Sequence, residues 1–126
     1  IMEIKLDMKE LLSLIPKESK KSVLYCEVEK SSYEAFFYSF YDDGKCIQSN
    51  ELVDQGFIND YSLEEAVEKL VKEVRELSCF DSEKRNVVSA VIEGMTVTWE
   101  LEQFEKTVGL YKIKKEWKLK YGCNPN

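Results

Sequence analysis

The chain has 126 residues, of which 44% are apolar and 33% charged, and its net charge is −6. This length and composition predict one folded domain over residues 1–126. No stretch approaches the ~20 consecutive apolar residues of a membrane helix, and so acidic a chain lacks the basic face that nucleic acid requires. The charged N-terminus has no signal-peptide core and the four cysteines lack metal-site spacing. We therefore expect reduced thiols and a cytoplasmic protein.

Apolar periodicity and turn residues predict eight elements along the chain. They are a helix over residues 3–15, strands over 22–29, 33–41 and 46–49, a helix over 62–79, strands over 86–93 and 96–104, and a segment over 108–121. Pro16 ends the first helix, Asp43-Gly44 predicts a hairpin turn, and residues 50–61 read as a polar connector. Ser62, with Glu65 three residues later, predicts the capping box that opens the second helix.

The last segment, residues 108–121, can be read in two ways. Leu110, Ile113 and Trp117 sit at helical spacing among lysines, which favours a helix, while the β-rich start of the segment leaves a strand open. With a helix here, the order of elements is α-β-β-β-α-β-β-α. This order predicts an α+β fold, in which helices pack on one face of an antiparallel sheet of about five strands.

The sequence contains no histidine, so the commonest general base at neutral pH and the Ser-His and Cys-His pairs are absent. Two carboxylate pairs, Glu27 with Glu29 and Glu100 with Glu102, each share one face of a strand and form acidic ridges. Such a ridge could hold a divalent metal or act as a glycosidase pair, but we favour the solvated outer face of an amphipathic strand. We predict no catalytic residues, no metal and no cofactor.

The second predicted strand is unusually aromatic on both faces. Tyr33 and Tyr41 lie on one face and Tyr38 on the other, so the strand is either buried between two layers or presents aromatic side chains to a partner. We favour burial of one face and a partner-binding role for the tyrosines. Asp42 and Asp43 follow directly and add negative charge beside them.

The charge is uneven along the chain. Residues 1–105 carry 12 basic and 23 acidic side chains, a net charge of −11, whereas residues 106–126 carry six lysines and one glutamate, a net charge of +5. The acidic body favours a basic protein partner. We read the lysine-rich end as the solvated side of a docked helix, with a surface for an acidic partner as the alternative and a membrane-binding helix as the third choice.

Three runs of sequence carry a resemblance to known families: Ile15-Pro16-Lys17-Glu18-Ser19, Leu24-Tyr25-Cys26-Glu27-Val28, and the hairpin from Tyr33 to Phe40 that ends in Asp43-Gly44-Lys45. The chain resembles YezG-like antitoxins and the immunity proteins of contact-dependent growth inhibition and related polymorphic-toxin systems, best over residues 8–45. The ending from Gly109 to Lys118 departs from the YezG-like pattern and looks more like the contact-dependent group.

The resemblance implies a cytoplasmic, stoichiometric inhibitor that binds the nuclease domain of a cognate toxin, a DNase; we expect the protein alone to be a monomer. Our hypothesis for the contact has two parts: acidic groups oppose the basic nucleic-acid face of the toxin, and an exposed sheet edge accepts a toxin strand. The residues that we assign to this contact are Glu27, Glu29, Tyr33, Tyr38, Tyr41, Asp42, Asp43, Glu100 and Glu102. The alternative function is a self-associating scaffold or adaptor, whose aromatic strand pairs with a second copy.

Overall fold

The computed structural model describes residues 4–123, and these form one five-stranded antiparallel sheet and four helices. In chain order the elements are α1 (Lys9–Leu14), β1 (Lys21–Val28), β2 (Tyr33–Phe40), β3 (Cys46–Gln48), α2 (Ser49–Asp54), α3 (Asp60–Glu76), β4 (Lys84–Glu93), β5 (Thr96–Glu105) and α4 (Leu110–Tyr121). The strands lie side by side in the order β3-β2-β1-β4-β5, so β1 is central. The predicted α+β class and the five antiparallel strands are confirmed.

The helices between β3 and β4 differ from the predicted ones. α2 lies in the predicted polar connector, because a helix of six residues is too short to show a repeating apolar stripe, although its Leu52 is buried. α3 begins two residues before the predicted start. The side chain of Asn59 accepts a hydrogen bond from the Ser62 N–H at 3.0 Å, so Asn59 caps this helix and Ser62 lies in its first turn.

The first helix is shorter than predicted. It begins at Lys9, whose N–H donates to the Asp7 side chain at 2.9 Å, and residues 4–8 form an irregular segment ahead of it. Ile4 and Met8 are nevertheless buried, as expected for members of the apolar stripe. An apolar stripe shows which side chains are buried more reliably than it shows where a helix begins. The predicted first residue, number 3, lies outside the described residues.

β1 is buried on both faces, and its side chains alternate between two apolar cores. Leu24, Cys26 and Val28 face α1, α2 and α3, whereas Val23 and Tyr25 face α4. The prediction that all helices pack on one face is therefore wrong, since α4 covers the opposite face of the sheet. The physical reason is that a central strand apolar on both faces needs a covering layer on each of them.

The last segment of the described chain is the helix α4, as favoured from the sequence. Ile113 and Trp117 are buried against the sheet, and the Trp117 indole N–H donates to Ser89 Oγ at 2.8 Å. The Trp117 ring meets the Tyr25 ring edge-on, with centroids 5.2 Å apart. The helix ends at Tyr121 and is capped by Gly122, whose φ of 73° lies in the left-handed region that glycine adopts at little cost. Within residues 4–123, no helix has the length and apolar character that crossing a membrane requires.

Candidate protein-binding surface

The β5 carboxylates that we assigned to a partner are paired within the molecule. Lys120 of α4 forms ion pairs with both Glu100 and Glu102 and donates a hydrogen bond to Glu100. Elsewhere on α4, Lys114 pairs with Glu34 of β2. Lysines of α4 thus lie opposite carboxylates of β2 and β5, and their aliphatic side-chain carbons pack over this part of the sheet. The charge of Glu100 and Glu102 is compensated from within the chain.

Glu27 and Glu29 are held by structural contacts. Glu27 lies beneath α4 with 3% of its surface exposed, and the Tyr25 hydroxyl donates to its Oε1 at 2.8 Å. Burial raises the pKa of Glu27, and the hydrogen bond from Tyr25 opposes that rise. Arg85 Nη1 donates to Glu29 Oε2 at 2.7 Å, and the same guanidinium donates to two carbonyls of the β5–α4 connection. The Glu29–Arg85 pair therefore fixes the approach of the chain to α4.

Replacing Glu27 by glutamine is expected to raise the free energy of unfolding at about pH 7 by about 1 kcal/mol, a common size for a single substitution. The amide keeps an acceptor for Tyr25, has no charge to desolvate, and removes the repulsion with Glu34 across the β1–β2 pair.

The effect should depend on pH in a defined direction. The pKa of Glu27 is raised in the native state, so the native state binds more protons, and the wild-type chain loses stability as the pH rises through the native pKa. Urea titrations at about pH 4 and about pH 7 should show that the advantage of the variant shrinks at the lower pH. An equal gain in the free energy of unfolding at both pH values would contradict a buried charge at Glu27.

Tyr33 and Tyr38 lie on opposite faces of β2, as predicted. Tyr38 is buried beneath α4 with 3% exposure, and its ring meets Phe36 edge-on at 5.8 Å between centroids. Tyr33 is half-buried on the α3 side, where burial and then the charges of Glu68 and Glu64 raise the pKa of its hydroxyl. Of the two tyrosines, only Tyr33 reaches the surface.

The β2–β3 turn carries the remaining predicted residues. The Tyr41 N–H donates to the Lys45 carbonyl at 2.9 Å, and Gly44 has a φ of 86°, which only glycine adopts readily. The Asp-Gly turn is therefore confirmed. Asp42 and Asp43 are exposed on it, and Tyr41 is half-buried beside them.

A groove of about 470 Å³ lies beside this turn. Leu14, Ile47 and Leu52 give it an apolar lining, and Tyr41 contributes to one wall. Phe57, in the connection between α2 and α3, lines the same groove and has 74% of its surface exposed. An apolar groove bordered by exposed aromatic surface is typical of a protein contact.

The segment that contains Phe57 is strongly acidic. Residues 46–68 contain six carboxylates and no lysine or arginine, and all six are exposed and form no ion pair among the described residues. They are Glu51, Asp54, Asp60, Glu64, Glu65 and Glu68. Tyr61 is 71% exposed among them, and its interaction with Glu65 raises the pKa of its hydroxyl. We call the exposed surface of the β2–β3 turn and residues 46–68 the acidic corner.

Sequence reasoning missed most of the acidic corner. It assigned Tyr33, Tyr41, Asp42 and Asp43, which border or belong to this surface, but treated residues 50–61 as a connector. A signal was present in the sequence, namely the long run without a basic residue. The remaining assigned residues lie under or beside α4, and the structure does not bring them together with the acidic corner.

β3 is shorter than β2, so about half of the outer edge of β2 has no neighbouring strand. β3 pairs only with Tyr38–Phe40, and the Phe37 N–H, which points away from β1, donates to Ser49 Oγ at 3.2 Å. Because peptide groups alternate in direction along a strand, the N–H and C=O of Ala35 point the same way. They face a crevice lined by acidic residues of α2 and α3. An extended segment with basic side chains would fit the chemistry of this edge.

The four cysteines are free thiols. Cys26 and Cys123 are buried, and burial raises the pKa of each thiol to about 12, so neither is nucleophilic at neutral pH. Among the residues that the structure describes, no cluster of three or more carboxylate or thiol side chains is arranged to hold a metal ion.

No protein-family model, no curated protein and no solved structure matches this chain.

Proposed function

We propose that this protein is a cytoplasmic immunity protein that binds and neutralises the nuclease domain of a cognate toxin, a DNase, without a cofactor or catalytic activity of its own. The observation that carries this proposal is the acidic corner, whose residues 46–68 combine six exposed carboxylates with the exposed rings of Phe57 and Tyr61. The raised pKa of Cys26 and Cys123 makes these two buried thiols poor nucleophiles.

The acidic corner has the properties that a nuclease inhibitor needs. A nuclease holds the phosphates of its substrate with lysines and arginines, so its active face is basic. An acidic surface is complementary to that face, speeds the encounter and competes with the nucleic acid. Exposed aromatic side chains supply the apolar contact that slows dissociation. Inhibition then follows from covering the substrate-binding face.

Ala35→Pro is expected to leave the fold intact and to weaken toxin binding by about tenfold or more. The Ala35 N–H points away from β1 along the open edge, so proline removes no hydrogen bond of the β1–β2 pair. An edge position also tolerates the fixed φ of proline. A toxin strand added at this edge would lose one backbone donor.

The matched control for this variant is Ala35→Ser, which changes the side chain but keeps the N–H. It should bind like the wild-type chain. Thermal melting of both variants reports the fold, and titration with the toxin domain reports affinity. A folded Ala35→Pro variant that binds as well as the wild-type chain would show that the toxin does not use this edge.

The function itself is tested by producing the protein together with the product of the neighbouring upstream gene. We expect a one-to-one complex that survives purification and has lost the DNase activity of the free partner. A neighbour with no toxin domain, or a toxin whose DNase activity is unchanged by an excess of this protein, would contradict the proposal.

A further inference from the structure

The most exposed apolar side chains are concentrated on two surfaces. Five large apolar residues in the described chain are at least 60% exposed, and two of them, Phe57 and Tyr61, belong to the acidic corner. Two others, Tyr111 and Leu119, lie on the outer side of α4, and Met95 stands at the tip of the β4–β5 hairpin. Single exposed apolar residues are common on protein surfaces. Two pairs of exposed apolar side chains, each pair on a surface of opposite charge, point to a contact.

The outer side of α4 is basic. Tyr111, Lys115 and Leu119 follow one another at intervals of four residues and therefore form one line, with Lys112 and Lys118 on its flanks. None of these lysines forms an ion pair among the described residues, whereas the inward lysines of α4 do. We call this line and its flanking lysines the cationic stripe.

We infer that the cationic stripe of one copy docks on the acidic corner of a second copy. Each surface offers two exposed apolar side chains. The charges that form no ion pair among the described residues are opposite on the two surfaces, lysines on the stripe and carboxylates on the corner, where Lys45 is paired with Asp43. A second copy is favoured over nucleic acid because the rest of the chain, with a net charge of −11 over residues 1–105, repels phosphate. A docked second copy differs from the monomer that we expect from the sequence, and the oligomeric state decides between the two.

The position of the surfaces sets the form of the assembly. The cationic stripe lies on the α4 face of the sheet, and the acidic corner lies at the side of α2 and α3. A contact between two unlike surfaces is heterologous, so copies add head to tail, and one surface of each kind stays free until the rotation between copies closes a ring. The assembly therefore grows stepwise with protein concentration and dissociates at high ionic strength. It does not depend on the proposed toxin, because the partner is the chain itself.

Sedimentation velocity of the protein alone tests this inference. The mean mass should rise between ~10 μM and ~1 mM protein at about 0.02 M salt and fall back to that of the monomer at about 1 M salt. Lys115→Glu should weaken association about tenfold or more, because it places a carboxylate against carboxylates. The matched control is Lys30→Glu, which makes the same charge change on the exposed β1–β2 turn and should associate like the wild-type chain.

A charge-swap experiment separates docking from a general charge effect. Glu65→Lys alone should also weaken association, but a mixture of the Lys115→Glu and Glu65→Lys variants should associate more strongly than either variant alone. The carboxylate introduced at position 115 of one variant then meets the ammonium introduced at position 65 of the other, while the unsubstituted stripe and corner of the pair stay complementary. Unchanged association in both variants, or a constant mass at all concentrations, would overturn the inference. Binding of an oligonucleotide duplex that Lys115→Glu abolishes, without self-association, would replace the second copy by nucleic acid.

Discussion

Replacing both Glu64 and Glu65 by lysine is expected to weaken binding of the toxin domain by about 100-fold. Both carboxylates are exposed on α3 beside Tyr61 and form no ion pair among the residues described, so their charge is available to a basic partner. Reversing these two charges replaces two attractions to the basic toxin surface by two repulsions. Stopped-flow measurements should show a slower association rate whose dependence on salt is reduced, because electrostatic steering falls with ionic strength. Asp42→Lys, on the neighbouring turn, should act in the same direction with a smaller effect.

A pair of neutralising variants provides the control. Replacing Glu64 and Glu65 by glutamine should weaken binding about tenfold, whereas replacing Glu100 and Glu102 by glutamine should change it less than about twofold. Both variants remove two negative charges, but Glu100 and Glu102 are already paired with Lys120 on α4. Equal losses in the two variants would mean that only net charge matters, and that the acidic corner is not the contact.

The sequence predicted the strands well, because each strand shows its own pattern. The alternation in β5, the Asp43-Gly44 turn and the apolar run of β1 are local signals, and the structure confirms the elements that they indicate. α2 was missed because its six residues span fewer than two turns. The face covered by α4 could be inferred only from the burial of β1 on both sides, which is a property of the sheet and of no single segment.

The site was harder to predict than the fold, because the availability of a charge depends on distant contacts. Glu100 and Glu102 look like free surface carboxylates in the sequence, and twenty residues separate Glu100 from the Lys120 that pairs with it. That pairing exists because α4 crosses the sheet on the β5 carboxylate side. The six carboxylates of residues 46–68, in contrast, lie in a segment without basic residues and form no ion pair within the part of the chain that the structure describes. A run of one charge is therefore a better local indicator of a free surface than an acidic pair in a strand.

Asn86→Asp is expected to lower the free energy of unfolding by about 3–5 kcal/mol, the usual cost of an unpaired buried charge. Asn86 is fully buried at the start of β4, and its Nδ2 donates to the carbonyls of Val28, Asp81 and Lys84 at 2.8–3.1 Å. Its Oδ1 accepts hydrogen bonds from the Asp81 N–H at 3.0 Å and from Gln103 Nε2 at 2.9 Å. The amide thus ties together β1, β4, β5 and the loop that follows α3.

Aspartate has nearly the same shape, so this substitution tests the hydrogen bonds and not the packing. Its second oxygen would face carbonyl oxygens with no proton to donate, and the urea midpoint should fall accordingly. The loss should shrink at about pH 4, where a buried carboxyl takes up a proton and regains one donor. The control is Asn59→Asp, the same chemical change at the exposed cap of α3, where a negative charge suits the helix N-terminus and the change should stay within about 0.5 kcal/mol. Equal effects at the two positions would mean that the Asn86 network contributes no more than a surface amide.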